Sequence, residues 1–295
     1  MPATSANLGP GFDVFGLALG LYDEVRITVA GPGLRVRVTG EGEGELPLDE
    51  RHLVLRSFRT ACALLGAEPA GLEISCRNEI PQARGLGSSA AAIVAGILAA
   101  RSLYAHPADS LDDDAVLGLA AQLEGHPDNV AACLHGGLTI AWTTAGATRV
   151  LPLEPARDLV PVVFVPAQQS STAQARAALP TTVPLAAAVA NACRAALLVP
   201  ALTGRPELLL EATRDWLHQD ARAASMPQSA ALMATLRADG IPAVISGAGP
   251  SVLAFSAADL QEYAGGWRLL QPAVAGPATV DTPPGTRRSA AGNTP

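Results

Sequence analysis

The sequence contains no lysine, so each of its 20 basic residues is an arginine. A chain without lysine cannot form the Walker A loop or the lysine-containing strand with which protein kinases hold ATP. It is equally unable to form a Schiff base through a lysine side chain. Any nucleotide chemistry in this chain must therefore proceed without a lysine.

The sequence also lacks clustered cysteines, a basic block and a signal peptide. Its four cysteines include no C-x-x-C pair, which argues against a disulfide framework and against a zinc site. A net charge of −7 without a basic block argues against nucleic acid as a partner. The longest near-continuous apolar run, at 90–100, is about half of the roughly 20 residues that a bilayer requires. We therefore expect a cytoplasmic protein with no nucleic-acid and no membrane partner.

The composition predicts a folded chain with more than one domain. Hydrophobic residues make up 49% of the 295 residues and charged residues 16%, as in a soluble protein with a well-filled core. The sequence pattern changes near residue 150, which predicts domains at 1–150 and 151–280. Residues 281–295 show no periodicity and many turn formers, so we expect a disordered tail there.

Apolar periodicity predicts both strands and helices. Alternating residues around the turn Gly31-Pro32-Gly33 predict a pair of strands at 25–38. An acidic first turn at 112–114 and a closing glycine at 125 predict a helix between them. The remaining predicted elements are a helix at 53–65, strands at 72–76, 160–165, 243–245 and 252–255, and helices at 207–219 and 228–238.

A glycine-containing loop before a small-residue helix is the most informative segment. It reads Pro81, Gln82, Ala83, Arg84, Gly85, Leu86, Gly87, Ser88, Ser89, Ala90 and Ala91. Gly85 and Gly87 let a ligand approach the backbone, and a helix N-terminus offers free N–H groups with partial positive charge. Ser88 or Ser89 can cap the helix, bind a phosphate oxygen or hold Mg²⁺. A tight turn with an N-cap is the alternative interpretation, but the whole string is more specific than a lone G-x-G.

This string resembles the phosphate-binding motif of the GHMP kinases. PATSANLGPGFD at 2–13 resembles the substrate-side motif of the homoserine kinases within that superfamily, and SGAGPS at 246–251 resembles its glycine loop. EGHPDNVAACLHGG at 124–137 and STAQARAALP at 171–180 also match homoserine kinases. The resemblance, which extends to about residue 270, implies an α+β, two-domain GHMP kinase fold. Its N-terminal domain would be ribosomal-protein-like with a βαβ unit, and its C-terminal domain a ferredoxin-like α/β sandwich.

The resemblance implies ATP-dependent phosphorylation of the L-homoserine hydroxyl to O-phospho-L-homoserine, in threonine biosynthesis. The cofactors would be ATP and Mg²⁺, and the assembly a homodimer. ATP would be held by residues 81–91 with Gly247 and Gly249, and the metal by Ser88 and Glu124. The implied catalytic residues are Asp13, Thr172 and Arg176. The implied substrate-binding residues are Asn7, Asp13, His126, Asn129, Arg176 and Arg222.

The chemistry of the substrate supports those residue types but leaves the base open. Homoserine has an amine, which suits a carboxylate, and a carboxylate, which suits arginines. Asp13 is the candidate base. Related kinases pair an aspartate with a lysine that is absent here, so the alternative is proton transfer to the γ-phosphate, with catalysis dominated by electrostatics and positioning.

Three alternatives remain open at this point. The chain could be a mevalonate- or shikimate-type GHMP kinase, a non-catalytic ligand-binding relative, or a structural or nucleic-acid-binding protein. The motif at 2–13 follows Met1 directly, whereas homoserine kinases usually carry a short strand before it, so we expect either a misplaced start codon or a shortened first strand. Four histidines are expected to be surface or packing residues: His52, His106, His135 and His218.

Overall fold

The computed structural model describes residues 1–105 and 111–281. Within these ranges the strands are β1 (Pro2–Ala6), β2 (Phe15–Tyr22), β3 (Glu24–Val29), β4 (Gly33–Gly40), β5 (Gly71–Asn78), β6 (Leu138–Thr144), β7 (Ala147–Leu153), β8 (Pro161–Val165), β9 (Ala243–Ile245), β10 (Val252–Phe255) and β11 (Arg268–Leu270). The helices are α1 (Leu53–Leu64), α2 (Ser88–Tyr104), α3 (Asp113–Glu124), α4 (Asp128–His135), α5 (Thr172–Ala177), α6 (Leu185–Thr203), α7 (Leu209–Ala212), α8 (Gln219–Arg222) and α9 (Pro227–Ala238).

The N-terminal half contains two sheets. The first has the antiparallel order β1-β2-β6-β7, and the second has the order β3-β5-β4. In the second sheet β4 and β5 are parallel and α1 connects them, which makes a βαβ unit. Strands β3 and β4 both form as predicted, but they do not pair with each other. The later strand β5 lies between them and bonds to both.

The motif at 2–13 forms the first strand itself. Strand β1 is buried along its whole length and pairs with β2 in the register Ala6↔Gly16. The five residues of β1 all pair with β2. The shortening of the first strand stays a prediction. The chain then turns at Asn7 and Leu8, which both have positive φ angles, before it enters β2.

Helices α1 to α4 cover these sheets. Helix α3 begins where the Asp112 carboxylate accepts the Ala115 N–H at 2.9 Å and ends at Gly125 in the left-handed region, as the sequence predicts. Helix α2 is rich in alanine, and Gly96 lets it approach α1 so closely that a Cβ there would overlap the Val54 carbonyl. This packing holds the N-terminus of α2 in a fixed position.

The C-terminal half is built on an antiparallel sheet of order β11-β8-β10-β9, with α9 against it. The helix predicted at 207–219 is wrong as one element, because it is interrupted after α7. The Asp215 carboxylate accepts the N–H groups of Leu217, His218 and Gln219 and so starts α8 as a separate helix. That break allows the residues of α8 to face the N-terminal half.

The chain returns to the first sheet after β11. Leu19 and Val274 form an isolated bridge, and Ala275 N–H donates to Ala18 O at 3.0 Å. A division near residue 150 stays a prediction, because the segment after β11 follows the C-terminal sheet in the chain but hydrogen-bonds to the first sheet of the N-terminal half. The predicted tail at 281–295 lies outside the described residues except for Asp281.

Helix α6 is long and apolar enough to span a membrane by length and composition, with 22% of its apolar window buried. The alanine-rich sequence after QQSST predicts a helical region here, punctuated by Pro180 and Pro184, and α6 begins directly after Pro184. Asn191 ties α6 to the folded body, since its amide donates to Pro10 O at 2.9 Å and accepts from Trp216 N at 3.2 Å. Helix α6 therefore supports the loop that follows β1.

Candidate active site

The loop after β1 meets the glycine loop at 246–251 through Asn7. The buried Asn7 amide donates to Gly247 O at 2.8 Å and accepts from Asp13 N at 2.9 Å. Gly247 N–H donates in turn to Ala6 O at 3.1 Å. Asn7 was expected to bind substrate, but both ends of its amide bind the backbone. In this structure it positions Asp13 and the glycine loop.

The start of α2 has the geometry of an anion site. Gly87 is its N-cap residue with φ 69°, and no side chain among the described residues caps this helix. A Cβ on Gly87 would overlap Thr4 Oγ1, and one on Gly85 would overlap Ser246 O. The first N–H groups of a helix have no acceptor within it, so they are available to an oxyanion here. The segment at 85–89, which we call the phosphate segment, is therefore held between β1 and the glycine loop, with its backbone N–H groups available.

The glycine loop is fastened to this segment by a serine. Ser246 Oγ donates to Gly85 O at 2.6 Å and lies 2.8 Å from Ser5 Oγ. Gly249 has φ 81° and packs so closely on Met226 that a Cβ there would overlap its sulfur. Gly247 and Gly249 thus lie beside Gly85, and their contact with ATP stays a prediction.

Arg84 is the only cation within the segment 81–91, and its donors are used by the protein backbone. Its guanidinium bonds to the carbonyls of Gln82, Pro166 and Ala167 at 2.8–2.9 Å. Ser170 N–H also donates to Ala83 O at 2.9 Å. Arg84 therefore connects this segment to the chain after β8, and three of its five N–H groups are used by neutral carbonyls, which leave its positive charge in place.

Ser89 and Glu124 form the best pair of oxygen ligands near α2. Ser89 Oγ donates to Glu124 Oε1 at 2.5 Å. Burial raises the pKa of Glu124, against the lowering effects of Ser89 and His126. The structure brings Ser89 to Glu124, whereas the sequence favoured Ser88. A half-buried carboxylate with a hydroxyl suits Mg²⁺, which takes a few protein oxygens and completes its shell with phosphate and water. Among the described residues no group of three or more His, Cys, Asp or Glu side chains forms a metal cluster.

The turn before α4 adds a histidine and an amide. His126 Nδ1 lies 2.6 Å from Asp128 Oδ1, and Asn129 Oδ1 accepts from Thr4 Oγ1 at 2.8 Å. Burial lowers the pKa of His126, but Asp128, Glu124 and Asp13 outweigh it and leave that pKa raised. His126 therefore bonds to Asp128 and interacts electrostatically with the carboxylates of Glu124 and Asp13. Asn129 instead supports Thr4 beneath the phosphate segment.

Asp13 and Arg176 form a two-point ion pair. Arg176 Nη1 and Nη2 each donate to an Asp13 carboxylate oxygen at 2.8 Å. The hydrogen bond with Asp13 raises the pKa of Arg176. Helix α5 places Arg176 there and is capped by Ser171, and Thr172 is exposed at its first position. The arginine expected to grip a carboxylate thus already holds one, that of Asp13.

Arg222 lies near this pair and contacts the same ring, that of Phe12. Its guanidinium carbon is 5.3 Å from the Phe12 ring centre, and that of Arg176 is 5.6 Å from the same ring. Arg222 is buried, with Nε donating to Ala175 O at 3.0 Å and Nη1 contacting His218 Nδ1 at 3.1 Å. Burial lowers the pKa of Arg222, and the charge of Arg176 lowers it further. The two cations therefore converge on one aromatic ring.

Sequence reasoning missed Phe12, Asp128 and His218. His218 was expected to be a surface or packing residue, yet it is buried in the site. Its position four residues before Arg222 would place the two on one helical face, which is a signal that the sequence offered. Among the other histidines, His52 is buried and His135 half-buried, and His106 lies outside the described residues.

Known proteins resemble this chain over most of its length. The family model described as "GHMP kinases N terminal domain" matches residues 52–137. A homoserine kinase of Streptomyces avermitilis is 62% identical over 256 residues, which are 87% of this chain and 84% of that protein.

Solved structures agree with that similarity. The homoserine kinase of Cytophaga hutchinsonii superposes with a TM-score of 0.79 at 30% identity, over 92% of this chain and 93% of that one. Leishmania major mevalonate kinase, at 18% identity and a TM-score of 0.64 over 93% of this chain and 95% of that one, shares the fold alone. The predicted α+β GHMP kinase fold is confirmed, and the mevalonate-type and non-catalytic alternatives are not favoured.

Proposed function

Because the chain belongs to the homoserine kinases of the GHMP kinase superfamily, we propose that it phosphorylates the side-chain hydroxyl of L-homoserine with ATP. The product is O-phospho-L-homoserine, for threonine biosynthesis. The observation that carries the proposal is the two-point ion pair of Arg176 with Asp13, with Arg222 on the same Phe12 ring. This geometry can receive a carboxylate, and homoserine has one.

Phosphates bind at the start of α2. Phosphoryl transfer requires positioning and charge stabilisation more than covalent chemistry. Gly85 and Gly87 leave the backbone open, the uncapped helix end supplies N–H groups, and the loop at 246–251 lies against them. These features support an ATP site that needs no lysine.

Mg²⁺ binds at Glu124 and Ser89. When bound, it would neutralise charge on the phosphate oxygens. Burial raises the pKa of the half-buried Glu124, and a divalent cation bound there would stabilise its charged form.

Homoserine binds with its carboxylate on Arg176. A bidentate guanidinium can hold one carboxylate in this geometry, so the substrate would replace Asp13 there. Asp13 is then released next to the amine and hydroxyl of homoserine, near His126, whose pKa is raised by Asp128, Glu124 and Asp13. Asp13 either accepts the hydroxyl proton or stabilises the amine while a phosphate oxygen accepts that proton. Asp13→Asn separates these roles, because loss of a base removes turnover whereas loss of an amine partner mainly raises KM.

The enzyme acts in the cytoplasm as a homodimer. The exposed Leu185 and Val189, four residues apart on α6, support a protein contact on that helix. Light scattering of the purified protein tests the dimer, and a monomeric mass at micromolar concentration would reject it.

The activity is tested by ADP release with Mg²⁺-ATP and L-homoserine, with mevalonate, shikimate and galactose as parallel acceptors. We expect homoserine-dependent release that collapses in Arg176→Ala. Arg35→Ala, which breaks an exposed ion pair with Glu73, is the matched control and should leave turnover unchanged. Turnover with another acceptor but not with homoserine would reject the proposal.

A further inference from the structure

We infer that His218 is a positioning residue that holds Arg222 in the orientation needed to bind the substrate carboxylate. The inference rests on the proposed function and extends it to a residue that does not itself contact the substrate but acts through one that does. It follows from a buried chain of contacts that runs from the loop after β1 through His218 to Arg222.

The contacts of His218 define its tautomer. His218 is 1% exposed, and its Nε2 lies 2.8 Å from Gly9 O, while its Nδ1 lies 3.1 Å from Arg222 Nη1. A carbonyl can only accept, so Nε2 carries the hydrogen. A guanidinium can only donate, so Nδ1 presents its lone pair. His218 is thus a neutral bridge with one donor and one acceptor in use.

The surroundings of His218 keep it neutral. Burial lowers its pKa, and the charge of Arg222 lowers it further, against the opposing effects of Asp215, Gly9 and Asp13. Asp215 lies 3.7 Å from Nε2, but its carboxylate already accepts three backbone N–H groups at the start of α8. The histidine therefore binds Arg222 without cancelling its charge.

A neutral partner matters because Arg222 has to retain an attraction for an anion. An aspartate or glutamate in place of His218 would pair with Arg222 and compete with the substrate carboxylate. The imidazole accepts one N–H and leaves the positive charge in place. Phe12 acts in the same way, since its ring contacts His218 at 5.1 Å and lies against both guanidiniums without neutralising either.

The other bonds of Arg222 leave its orientation dependent on His218. Its Nε donates to Ala175 O at 3.0 Å, and the contact of Nη1 with Gly247 O is long at 3.4 Å. The 3.1 Å bond to His218 is therefore the shorter of the two at Nη1. Loss of it would leave Arg222 with the Nε bond to Ala175 and the long contact to Gly247, next to the repelling charge of Arg176.

The test compares His218→Phe, which keeps the ring and loses both bonds, with His218→Gln, whose amide can donate to Gly9 and accept from Arg222. The KM for L-homoserine and for ATP is measured in full-length enzyme. The inhibition constant of 3-amino-1-propanol, which is homoserine without its carboxylate, is measured against homoserine. His52→Phe is the matched control, because His52 is also buried but lies at the start of α1.

For His218→Phe we expect a KM for homoserine raised about tenfold, as for a lost hydrogen bond to a charged group. The KM for ATP and the inhibition constant of 3-amino-1-propanol should stay within about twofold, His218→Gln should recover most of the loss, and His52→Phe should change neither constant. An equal weakening of homoserine and 3-amino-1-propanol, or an unchanged homoserine KM, would overturn the inference.

Two controls keep the result interpretable. If His218→Phe does not fold, His218→Asn replaces it, since its amide reaches Arg222 but is too short for Gly9, and a smaller loss with the same selectivity is expected. If wild-type enzyme does not phosphorylate homoserine at all, the proposed function fails. Wild-type turnover with an unaffected His218→Phe rejects only the role of His218.

Discussion

The two sides of the proposed active site, the phosphate side and the substrate side, are built in different ways. The phosphate side consists of backbone from two short segments, 85–89 and 246–251, in which glycines make room and one helix end supplies the N–H groups. The substrate side consists of side chains that lie far apart in the sequence: Phe12, Asp13, Arg176, His218 and Arg222. Backbone sites tolerate little change at their glycines, whereas a side-chain site can lose one member and keep the others. The predictions below test that difference.

Gly87→Ala should have the largest effect and should damage the phosphate side. A Cβ there would overlap Thr4 Oγ1, and φ 69° is unfavourable for alanine. Misplacing a phosphate-binding segment by about 1 Å can cost roughly 10²-fold, and a lost amide donor about as much again, so we expect on the order of 10⁴-fold lower kcat/KM. Steady-state kinetics with ATP and homoserine measure it.

Gly118→Ala is the matched control for that change. Gly118 lies within α3, and a Cβ there would meet no described atom within 4 Å. Alanine is favoured over glycine in a helix by about 1 kcal/mol, so the variant should be slightly more stable and fully active. Wild-type activity in both variants would contradict the assignment of Gly87 to a constrained phosphate segment.

Asp23→Asn should change the pH dependence of stability on the phosphate side. The buried Asp23 carboxylate accepts Glu79 N and Ile80 N through Oδ1, just before the phosphate segment, and burial raises its pKa from 3.8 to about 6. Folding favours the protonated acid, so the stability that Asp23 contributes to the fold is present below about pH 4 and is lost as the pH rises through about 6. The shift corresponds to about 3 kcal/mol.

Asparagine keeps both acceptor contacts of Asp23 and cannot ionise. The free energy of unfolding in urea should therefore rise relative to wild type by about 2 kcal/mol between pH 4.5 and 7.5. Asp49→Asn is the control, because Arg51 lowers the pKa of the exposed Asp49 to about 2 and it does not titrate in this window. Parallel pH profiles for wild type and Asp23→Asn would show that burial of Asp23 does not govern the slope.

The sequence predicted the phosphate side far better than the substrate side. Gly85, Gly87 and the serines at 88 and 89 lie within five consecutive residues, so their spacing alone predicts a loop that opens a helix. The sequence favoured Ser88 as the metal ligand, whereas in the structure it is Ser89 that contacts Glu124. Phe12 gave no comparable signal, because its role arises from packing between segments about 200 residues apart, and His218 gave only its spacing to Arg222. The interruption of the predicted helix at 207–219 is local by contrast, because the Asp215 carboxylate accepts the N–H groups of His218 and Gln219.

Glu124→Gln tests the metal ligand on the phosphate side. Glutamine can keep the contact with Ser89 but has no charge for Mg²⁺, so we expect about 10²-fold lower kcat, with half-saturation shifted to higher Mg²⁺ concentration. A titration of ADP release against Mg²⁺ measures both. Glu73→Gln, at an exposed residue of β5, is the control. An unchanged Mg²⁺ dependence would remove Glu124 from the metal site.

Arg176→Lys should have the smallest effect and should be confined to the substrate side. Lysine keeps the positive charge but cannot make the two parallel bonds that Arg176 makes with Asp13. We expect the KM for homoserine to rise about tenfold, which is about 1.4 kcal/mol, while the KM for ATP stays unchanged. Arg35→Lys, at an exposed ion pair, should behave as wild type. If Arg176→Lys weakened ATP as much as homoserine, the two sides of the site would be coupled through α5, and the bond from Ser170 to Ala83 would be the first contact to examine.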